Sequence, residues 1–206
     1  MSPPSDPAAR SLAAGLEPLL HRQKARLTIS EMVARIQGDN GLGPVLFALS
    51  LPLLLPLPPG MSMVLALPLL VVAPQIIVSR QRLWLPKTLM RHSIKQAELV
   101  KLLRRVLPLL RRVEARARPR LSFMTGRIGT GLIGVACTLI ALVLVLPIPF
   151  ANLIPALALG LFALGLTRKD GLFVMAGYGL LVVAAAVIAL GVHGFAWAFG
   201  QLRTLL

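Results

Sequence analysis

Apolar and charged residues lie in long separate blocks along this chain. Uncharged runs cover residues 41–79, 128–167 and 172–202, and the first two hold 39 and 40 residues. A membrane-spanning helix needs roughly 20 apolar residues. The pattern therefore predicts two helical hairpins, each made of two helices folded back on each other, followed by one C-terminal membrane helix.

A proline motif interrupts each hairpin at the same relative place. The first motif is Leu55-Pro56-Leu57-Pro58-Pro59-Gly60, and the second is Leu146-Pro147-Ile148-Pro149-Phe150-Ala151-Asn152. The two align without a gap at an offset of 91 residues. Proline breaks helices, and transporters commonly carry internal repeats with interrupted helices. The pattern favours an internal repeat of helix, break and helix, although two hairpins would also need two turns without one.

The first hairpin is the better candidate for a re-entrant segment. Residues 41–55 number only 15, about 22 Å of helix, whereas the hydrocarbon layer is roughly 30 Å thick. Residues 129–146 are long enough to span it. The predicted fold class is therefore an all-α polytopic membrane protein with two Pro-broken hairpins and a C-terminal membrane helix. Either hairpin is re-entrant or fully spanning, and the first is the shorter.

The net charge of +15 is concentrated between the two hairpins, where fourteen Lys and Arg face two Glu over residues 80–127. The positive-inside rule places this segment, and with it the N-terminal arm, in the cytoplasm. Basic residues beside a membrane segment attract anionic lipid head groups. A nucleic-acid partner is not expected, because few aromatic residues that could stack on bases lie among the charges and no binding motif is present.

Part of the basic segment has the pattern of a surface helix. Ser93-Ile94-Lys95-Gln96 has the form of a capping box, as has Thr28-Ile29-Ser30-Glu31 in the N-terminal arm. Apolar residues then recur at three- and four-residue spacing up to Val113, with Pro108 expected to kink the helix or start another. The stripe either lies on the membrane surface or packs on the protein's own membrane helices. Four arginines on the other face are predicted to contact anionic lipid: Arg104, Arg105, Arg111 and Arg112.

These blocks divide the chain into five segments: a cytoplasmic arm and helix (1–40), the first hairpin (41–79), the basic segment (80–127), the second hairpin (128–167) and the C-terminal membrane helix (168–206). Apolar residues make up 56% of the chain and charged residues 14%, whereas soluble domains average about 25% charged. The single cysteine, Cys137, excludes an intramolecular disulfide and is expected to be buried. The polar N-terminus is not expected to be a cleavable signal peptide, and a homodimer is compatible with the sequence.

Few residues suggest catalysis, and no metal or cofactor site is predicted. His193 is expected at the membrane interface. Asp170 is the only acidic residue after Glu114 and follows Arg168 and Lys169. It either pairs with those cations at a helix boundary or serves as a proton or cation ligand that faces the second break.

The two breaks form the predicted functional centre, because unwound backbone in a membrane leaves carbonyls and amides free for a polar ligand. Asn152 adds a donor and acceptors at one break, and Asp170 is the titratable group proposed for it. The other residues assigned to this ion or ligand pathway are Pro56, Pro58, Pro59, Gly60, Pro147, Pro149 and Pro155.

The order and spacing of several motifs resemble the bacterial exopolysaccharide synthesis ExoD family. They are Gly38-Asp39-Asn40-Gly41, the first proline motif, Trp84-Leu85-Pro86, and the second proline motif extended to Ala156 and followed by Arg168-Lys169-Asp170-Gly171. Family members often have Gly where this chain has Ala151, and an acidic residue near Lys169. The resemblance implies an inner-membrane protein with a role in exopolysaccharide production, and brings no catalytic residue or cofactor.

Three functions follow as hypotheses. The first is a non-enzymatic membrane component with transport-like movement of an ion, a proton or a lipid-linked intermediate. The second is an assembly factor whose basic face binds lipid or polysaccharide-synthesis proteins. The third, an enzyme acting on lipid-linked sugars, is disfavoured because the membrane runs hold no acid.

Overall fold

The computed structural model describes residues 11–17, 20, 26–28, 31, 42–54, 61–78, 84, 86, 93–146 and 152–205. Its helices are α1 (Leu12–Leu16), α2 (Leu42–Ser50), α3 (Met61–Ile77), α4 (Gln96–Arg116), α5 (Arg127–Val145), α6 (Leu153–Arg168) and α7 (Gly171–Leu205). A 3₁₀ segment, Leu51–Leu54, continues α2, and another, Ser122–Thr125, precedes α5. The predicted all-α fold is confirmed, apart from a ribbon of two three-residue strands, β1 (Arg26–Thr28) and β2 (Ser93–Lys95).

One of the two predicted capping boxes is present and the other is wrong. The Thr28 main-chain N–H donates to the Glu31 carboxylate, and the Glu31 N–H donates to Thr28 Oγ1, both at 3.4 Å. Ser93 does not begin a helix, because it lies opposite Thr28 in the antiparallel ribbon. Strand pairing thus takes up the local backbone, α4 begins at Gln96, and the helix continues through Pro108.

The helices of the two predicted hairpin segments, 41–79 and 128–167, pack across each other. Helix α2 packs on α6 and α3 packs on α5, and both contacts are more extensive than those between α2 and α3 or between α5 and α6. Gly43 lies near Ala163 and Thr167 while Phe47 lies near Gly160, so α2 and α6 run antiparallel. Helix α7 then covers α6.

Close backbone approach at two glycines marks these cross-hairpin contacts. A methyl group at Gly43 would lie 2.2 Å from Thr167 Oγ1 and 2.9 Å from the Ala163 carbonyl oxygen. One at Gly134 would lie 2.7 Å from both the N and the Cγ1 of Ile77. Only glycine fits such contacts without a shift of backbone. The two glycines are 91 residues apart, the same offset that aligns the proline motifs.

Helix α2 is enclosed by protein. Every residue of Gly43–Ser50 is buried, as are Leu51, Pro52 and Leu53 of the 3₁₀ segment. Helices α6, α3 and α1 contact α2, and α4 contacts its 3₁₀ end. With that end, α2 has 13 residues over Leu42–Leu54, which is too short to cross a bilayer.

Two helices in the described ranges are long and apolar enough to cross a membrane: α5 over Arg127–Val145, and α7 over Gly171–Gly191. Both carry large apolar side chains on their outer faces. On α5 these recur every three or four residues: Ile128, Leu132, Val135, Leu139 and Leu142. On α7 they are Leu172, Met175, Val182, Val183, Val187 and Leu190.

The apolar stripe of α4 faces the protein. Leu99, Leu103, Leu107 and Leu110 are buried in the core, and α1 packs on the helix. Of the two alternatives left open by the sequence, packing on the protein's own helices is the one observed. The basic side chains of α4 remain exposed.

Candidate functional site: a buried carboxylate junction

Asp170 is a buried carboxylate with two main-chain donors. It is only 2% exposed. Its Oδ2 accepts a hydrogen bond from the Arg118 main-chain N–H and its Oδ1 accepts one from the Leu172 N–H, both at 3.0 Å. Leu172 is the second residue of α7, so Asp170 acts as the N-cap of that helix. A negative charge there also interacts favourably with the positive end of the helix dipole.

Glu114, at the end of α4, is the second buried carboxylate and is 4% exposed. It accepts hydrogen bonds from Ser11 Oγ and from the Leu12 main-chain N–H, both at 2.6 Å. Arg168 Nη2 donates to the Glu114 carbonyl oxygen at 3.3 Å, and Arg168 Nε lies 3.9 Å from the carboxylate. Buried carboxylates require such partners, because removal of an unpaired charge from water is costly.

The turn between α6 and α7 places these groups. Lys169 adopts a left-handed conformation with φ of 53°, and the Asp170 N–H donates to the Gly165 carbonyl at 3.1 Å. The Gly171 N–H donates to the Arg120 carbonyl at 2.8 Å, and a methyl group at Gly171 would lie 2.8 Å from the Leu121 carbonyl oxygen. Each residue of Arg168-Lys169-Asp170-Gly171 therefore has a structural role in the turn.

We call Ser11, Glu114, Arg168 and Asp170, with the Arg118 main chain, the carboxylate junction. It joins the N-terminal arm, the basic segment and the turn between α6 and α7 at one end of the bundle. Asp170 and Glu114 both accept hydrogen bonds from the chain itself. No group of three His, Cys, Asp or Glu side chains placed to hold a metal occurs among the described residues. The described contacts of the junction are those of a hydrogen-bond network that holds separate parts of the chain together.

Asn152 lies far from this junction. It precedes the first residue of α6, whereas Asp170 lies two residues beyond the last, and the 16 residues of α6 form about 24 Å of helix between them. The Asn152 carbonyl accepts from the Ala156 N–H at 3.0 Å, and its half-buried side chain makes no capping hydrogen bond. The structure thus does not bring Asp170 to Asn152, and the contacts of Asp170 match the helix-boundary alternative.

Of the remaining residues at and beside the breaks, Leu146 and Pro155 lie within the described ranges. Leu146 ends α5 in an extended conformation, as is typical of a residue before proline. Pro155 is buried in the first turn of α6, where its missing N–H leaves no helix bond unmade. The other six predicted pathway residues lie outside the described ranges: Pro56, Pro58, Pro59, Gly60, Pro147 and Pro149.

The basic face of α4 is exposed, with one arginine engaged by the N-terminal arm. Arg111 forms an ion pair with Glu17, which follows α1. Arg104, Arg105 and Arg112 are exposed, and so is His193 on α7. Since Glu114 holds the start of α1 and Arg111 holds its end, α1 lies antiparallel to α4.

Glu114 and the two close-contact glycines were not singled out from the sequence, although signals for both exist. Glu114 continues the buried stripe of Leu103, Leu107 and Leu110 at helical spacing, which marks it as an inward-facing acid. The 91-residue offset of the proline motifs places Gly43 on Gly134. Neither signal depends on a catalytic or metal-binding motif.

Comparison with known proteins adds a family. The sequence profile described as "Exopolysaccharide synthesis, ExoD" matches residues 12–190. Protein ExoD of Rhizobium meliloti is 32% identical over 176 residues, which cover 82% of this chain and 72% of the relative. Uncharacterized protein slr1875 of Synechocystis sp. is 33% identical over 165 residues, or 79% of this chain and 78% of the relative. No solved structure matches the chain. The chain belongs to the ExoD family of exopolysaccharide synthesis proteins.

Proposed function

We propose that this chain is a multi-pass protein of the bacterial inner membrane that supports exopolysaccharide production by transport-like movement of an ion, a proton or a lipid-linked intermediate. The family supplies the process. The outward apolar stripes on α5 and α7 support the membrane location. On α5 the stripe from Ile128 to Leu142 covers about 21 Å of helix, much of the hydrocarbon thickness, and in lipid such a face needs no protein partner.

The enclosure of α2 supports a re-entrant first hairpin. Its 3₁₀ end directly precedes the first proline motif and contacts α4. Since α4 has an exposed basic face, it belongs on the cytoplasmic side by the positive-inside rule. A break that a cytoplasmic helix can reach lies on the near side of the bilayer. Buried surroundings are also the condition under which irregular backbone is tolerated at membrane depth.

The single observation that carries the transport-like function is the reciprocal packing of the two hairpins. When the first hairpin is aligned on the second, α2 corresponds to α5 and α3 to α6. The α2–α6 contact then corresponds to the α5–α3 contact, and Gly43 corresponds to Gly134. We attribute this to an internal repeat. Both hairpins begin and end at the same end of the bundle, so the axis relating them would run along the membrane normal, as in parallel-repeat transporters. The two breaks are the interruptions that the two copies of this repeat would share.

The functional centre we propose is this pair of breaks, with Asn152 as its one described polar side chain that makes no capping bond. We expect Asn152→Ala to lower exopolysaccharide output of a strain that carries it in place of the chromosomal gene. Its protein level should remain normal. Thr138→Val is the matched control, because it removes a polar group whose bond stays within α5. Normal polysaccharide output from Asn152→Ala would overturn this centre.

Transport itself is tested with the purified protein in sealed liposomes. Proton and cation flux are measured with wild type and Asn152→Ala side by side, with protein-free vesicles as the background. We expect flux from wild type only. If neither protein moves protons, cations or a labelled lipid-linked sugar faster than protein-free vesicles do, the transport hypothesis is wrong and the assembly-factor hypothesis replaces it.

The assembly factor is the second candidate, and the exposed basic face of α4 favours it. Arg104, Arg105 and Arg112 are available to anionic lipid or to polysaccharide-synthesis proteins. In this alternative the chain binds but moves nothing. Neither candidate makes the chain an enzyme.

A further inference from the structure

A side-chain amide in α3 holds the main chain of a later residue. Gln75 Oε1 accepts a hydrogen bond from the Trp84 main-chain N–H at 2.7 Å, and Gln75 Nε2 donates to the Trp84 carbonyl oxygen at 2.7 Å. The same Nε2 also donates to the Val71 carbonyl at 2.9 Å. One amide therefore engages both main-chain polar groups of Trp84, much as a neighbouring strand would.

Such a clamp matters most where water is scarce. In a bilayer every main-chain N–H and C=O must be satisfied within the protein, whereas in water the solvent would satisfy the exposed Trp84 backbone. Gln75 is the only amide or charged side chain in α3. Its position, three residues before the exposed Val78, is about 4.5 Å along the helix from that end. The clamp thus draws Trp84 back beside the last turn of α3.

The indole itself is uncovered. Trp84 is 64% exposed, and Ile77 and Val78 at the end of α3 are exposed beside it in sequence. The chain around Trp84 is basic, with Arg80, Arg82 and Lys87 within four residues. An amphipathic ring at the end of a membrane helix and next to cations matches the headgroup level of a bilayer. Basic residues there complement anionic head groups.

We propose that Trp84 is an anchor in the headgroup boundary of the phospholipid bilayer, and that Gln75 positions it there. The proposal rests on the membrane location proposed above. It is independent of transport, of Asn152 and of the arginines of α4. The occupant of this surface is lipid, not a second protein, because the exposed apolar side chains Ile77, Val78 and Trp84 lie next to basic residues in the sequence, the combination that suits the headgroup level of a bilayer.

The chain holds two tryptophans, Trp84 and Trp197, so Trp197→Phe leaves Trp84 as the sole reporter. This parent is reconstituted into vesicles of phosphatidylcholine and phosphatidylglycerol, with or without brominated phosphatidylcholine. We expect brominated lipid to remove about half or more of the Trp84 emission, because ring and bromine share the interface. Aqueous acrylamide should quench it weakly.

The clamp is tested by Gln75→Leu in the same parent, which keeps the side-chain volume and loses the hydrogen bonds. We expect acrylamide quenching to rise about twofold or more as the unpaired backbone turns toward water, and lipid quenching to fall. Thr138→Val is the control, because it removes one hydrogen bond inside α5 and should leave Trp84 unchanged. A Gln75→Leu variant that matches the parent would overturn the positioning role.

Two results would overturn the anchor. If acrylamide quenches Trp84 and brominated lipid does not, the ring lies in water. If neither quenches it, protein covers the ring. Resistance of the parent protein to carbonate extraction shows whether a negative result concerns the Trp84 anchor alone or the membrane location too. If the protein resists extraction and lipid does not quench Trp84, only the anchor is refuted. If the protein is extracted, the membrane location is refuted as well.

Discussion

Removal of the Asp170 carboxylate tests how much the carboxylate junction stabilises the protein. Asp170→Ala removes the N-cap of α7, worth about 0.5–2 kcal/mol, and leaves the Arg118 N–H without its acceptor, worth about 1–3 kcal/mol if the group stays buried. Because Arg118 lies at the surface, water can replace part of the second term. We therefore expect the free energy of unfolding to fall by about 1–4 kcal/mol.

Asp170→Asn should cost less. Asparagine is itself a good N-cap, so the bond to Leu172 can remain. Only one side-chain oxygen is left, however, and the amide would face one of the two donors. We expect a loss of about 1–2 kcal/mol, which places Asn between wild type and Ala.

The chain carries its own reporter for this experiment. Cys137 is the only cysteine and is fully buried in α5, so a maleimide reaches it only when the bundle opens. If opening is a rapid equilibrium, a loss of about 1–4 kcal/mol raises the labelling rate in mild detergent by roughly 5- to 700-fold for Asp170→Ala. Asn152→Ala, whose side chain makes no capping bond, serves as the unchanged control. Equal labelling of wild type and Asp170→Ala would refute the stabilising role of the junction.

Three further predictions use the same stability assay or a lipid assay. Gly43→Ala and Gly134→Ala should each destabilise the protein by about 1–3 kcal/mol, because the added methyl group meets backbone of the other hairpin. Gly179→Ala is the control and should be neutral or slightly stabilising, because a methyl group there has nothing within 4 Å. Equal effects at all three positions would refute the close packing. Glu114→Gln should loosen α1 and lower the free energy of unfolding by about 1–3 kcal/mol. Ser11→Ala should lower it less in the Glu114→Gln protein than in wild type. Strictly additive effects would mean that the two residues do not interact. Replacement of Arg104, Arg105 and Arg112 by Gln should lower retention of anionic lipid in purified protein with little loss of stability, and unchanged retention would place the lipid contact elsewhere.

The helical fold could be predicted from the sequence because its signals are compositional. Runs of 39 and 40 uncharged residues leave few alternatives to apolar helices, and proline before α3 and after Leu146 fixes where helices stop. Ser93 shows the limit of local pattern: its capping box was sound in isolation, but β1 offers Ser93, Ile94 and Lys95 a backbone partner more than 60 residues away.

The junction could be predicted only in part. In the sequence Asp170 is an isolated acid, and pairing at a helix boundary is one of two hypotheses for it. The choice between them depends on the main chain of Arg118 and on the left-handed turn at Lys169. These are tertiary facts that no spacing encodes. The sequence analysis groups Asn152 and Asp170 as a polar side chain at the second break and the titratable group proposed for it, yet the length of α6 keeps them apart.

The cross-hairpin packing has a consequence for biogenesis. Helix α2 is buried against Ala163 and Thr167 of α6, which leave the ribosome roughly 120 residues later, or about 6–25 s at bacterial and eukaryotic elongation rates. During that interval the first hairpin lacks the helix that encloses it. In the membrane location proposed above, α2 would remain in contact with lipid or with the insertion machinery until α6 is synthesised. Substitutions in α6 that weaken this contact would then be detected first as failed insertion of the first hairpin, before any mature protein exists to be assayed.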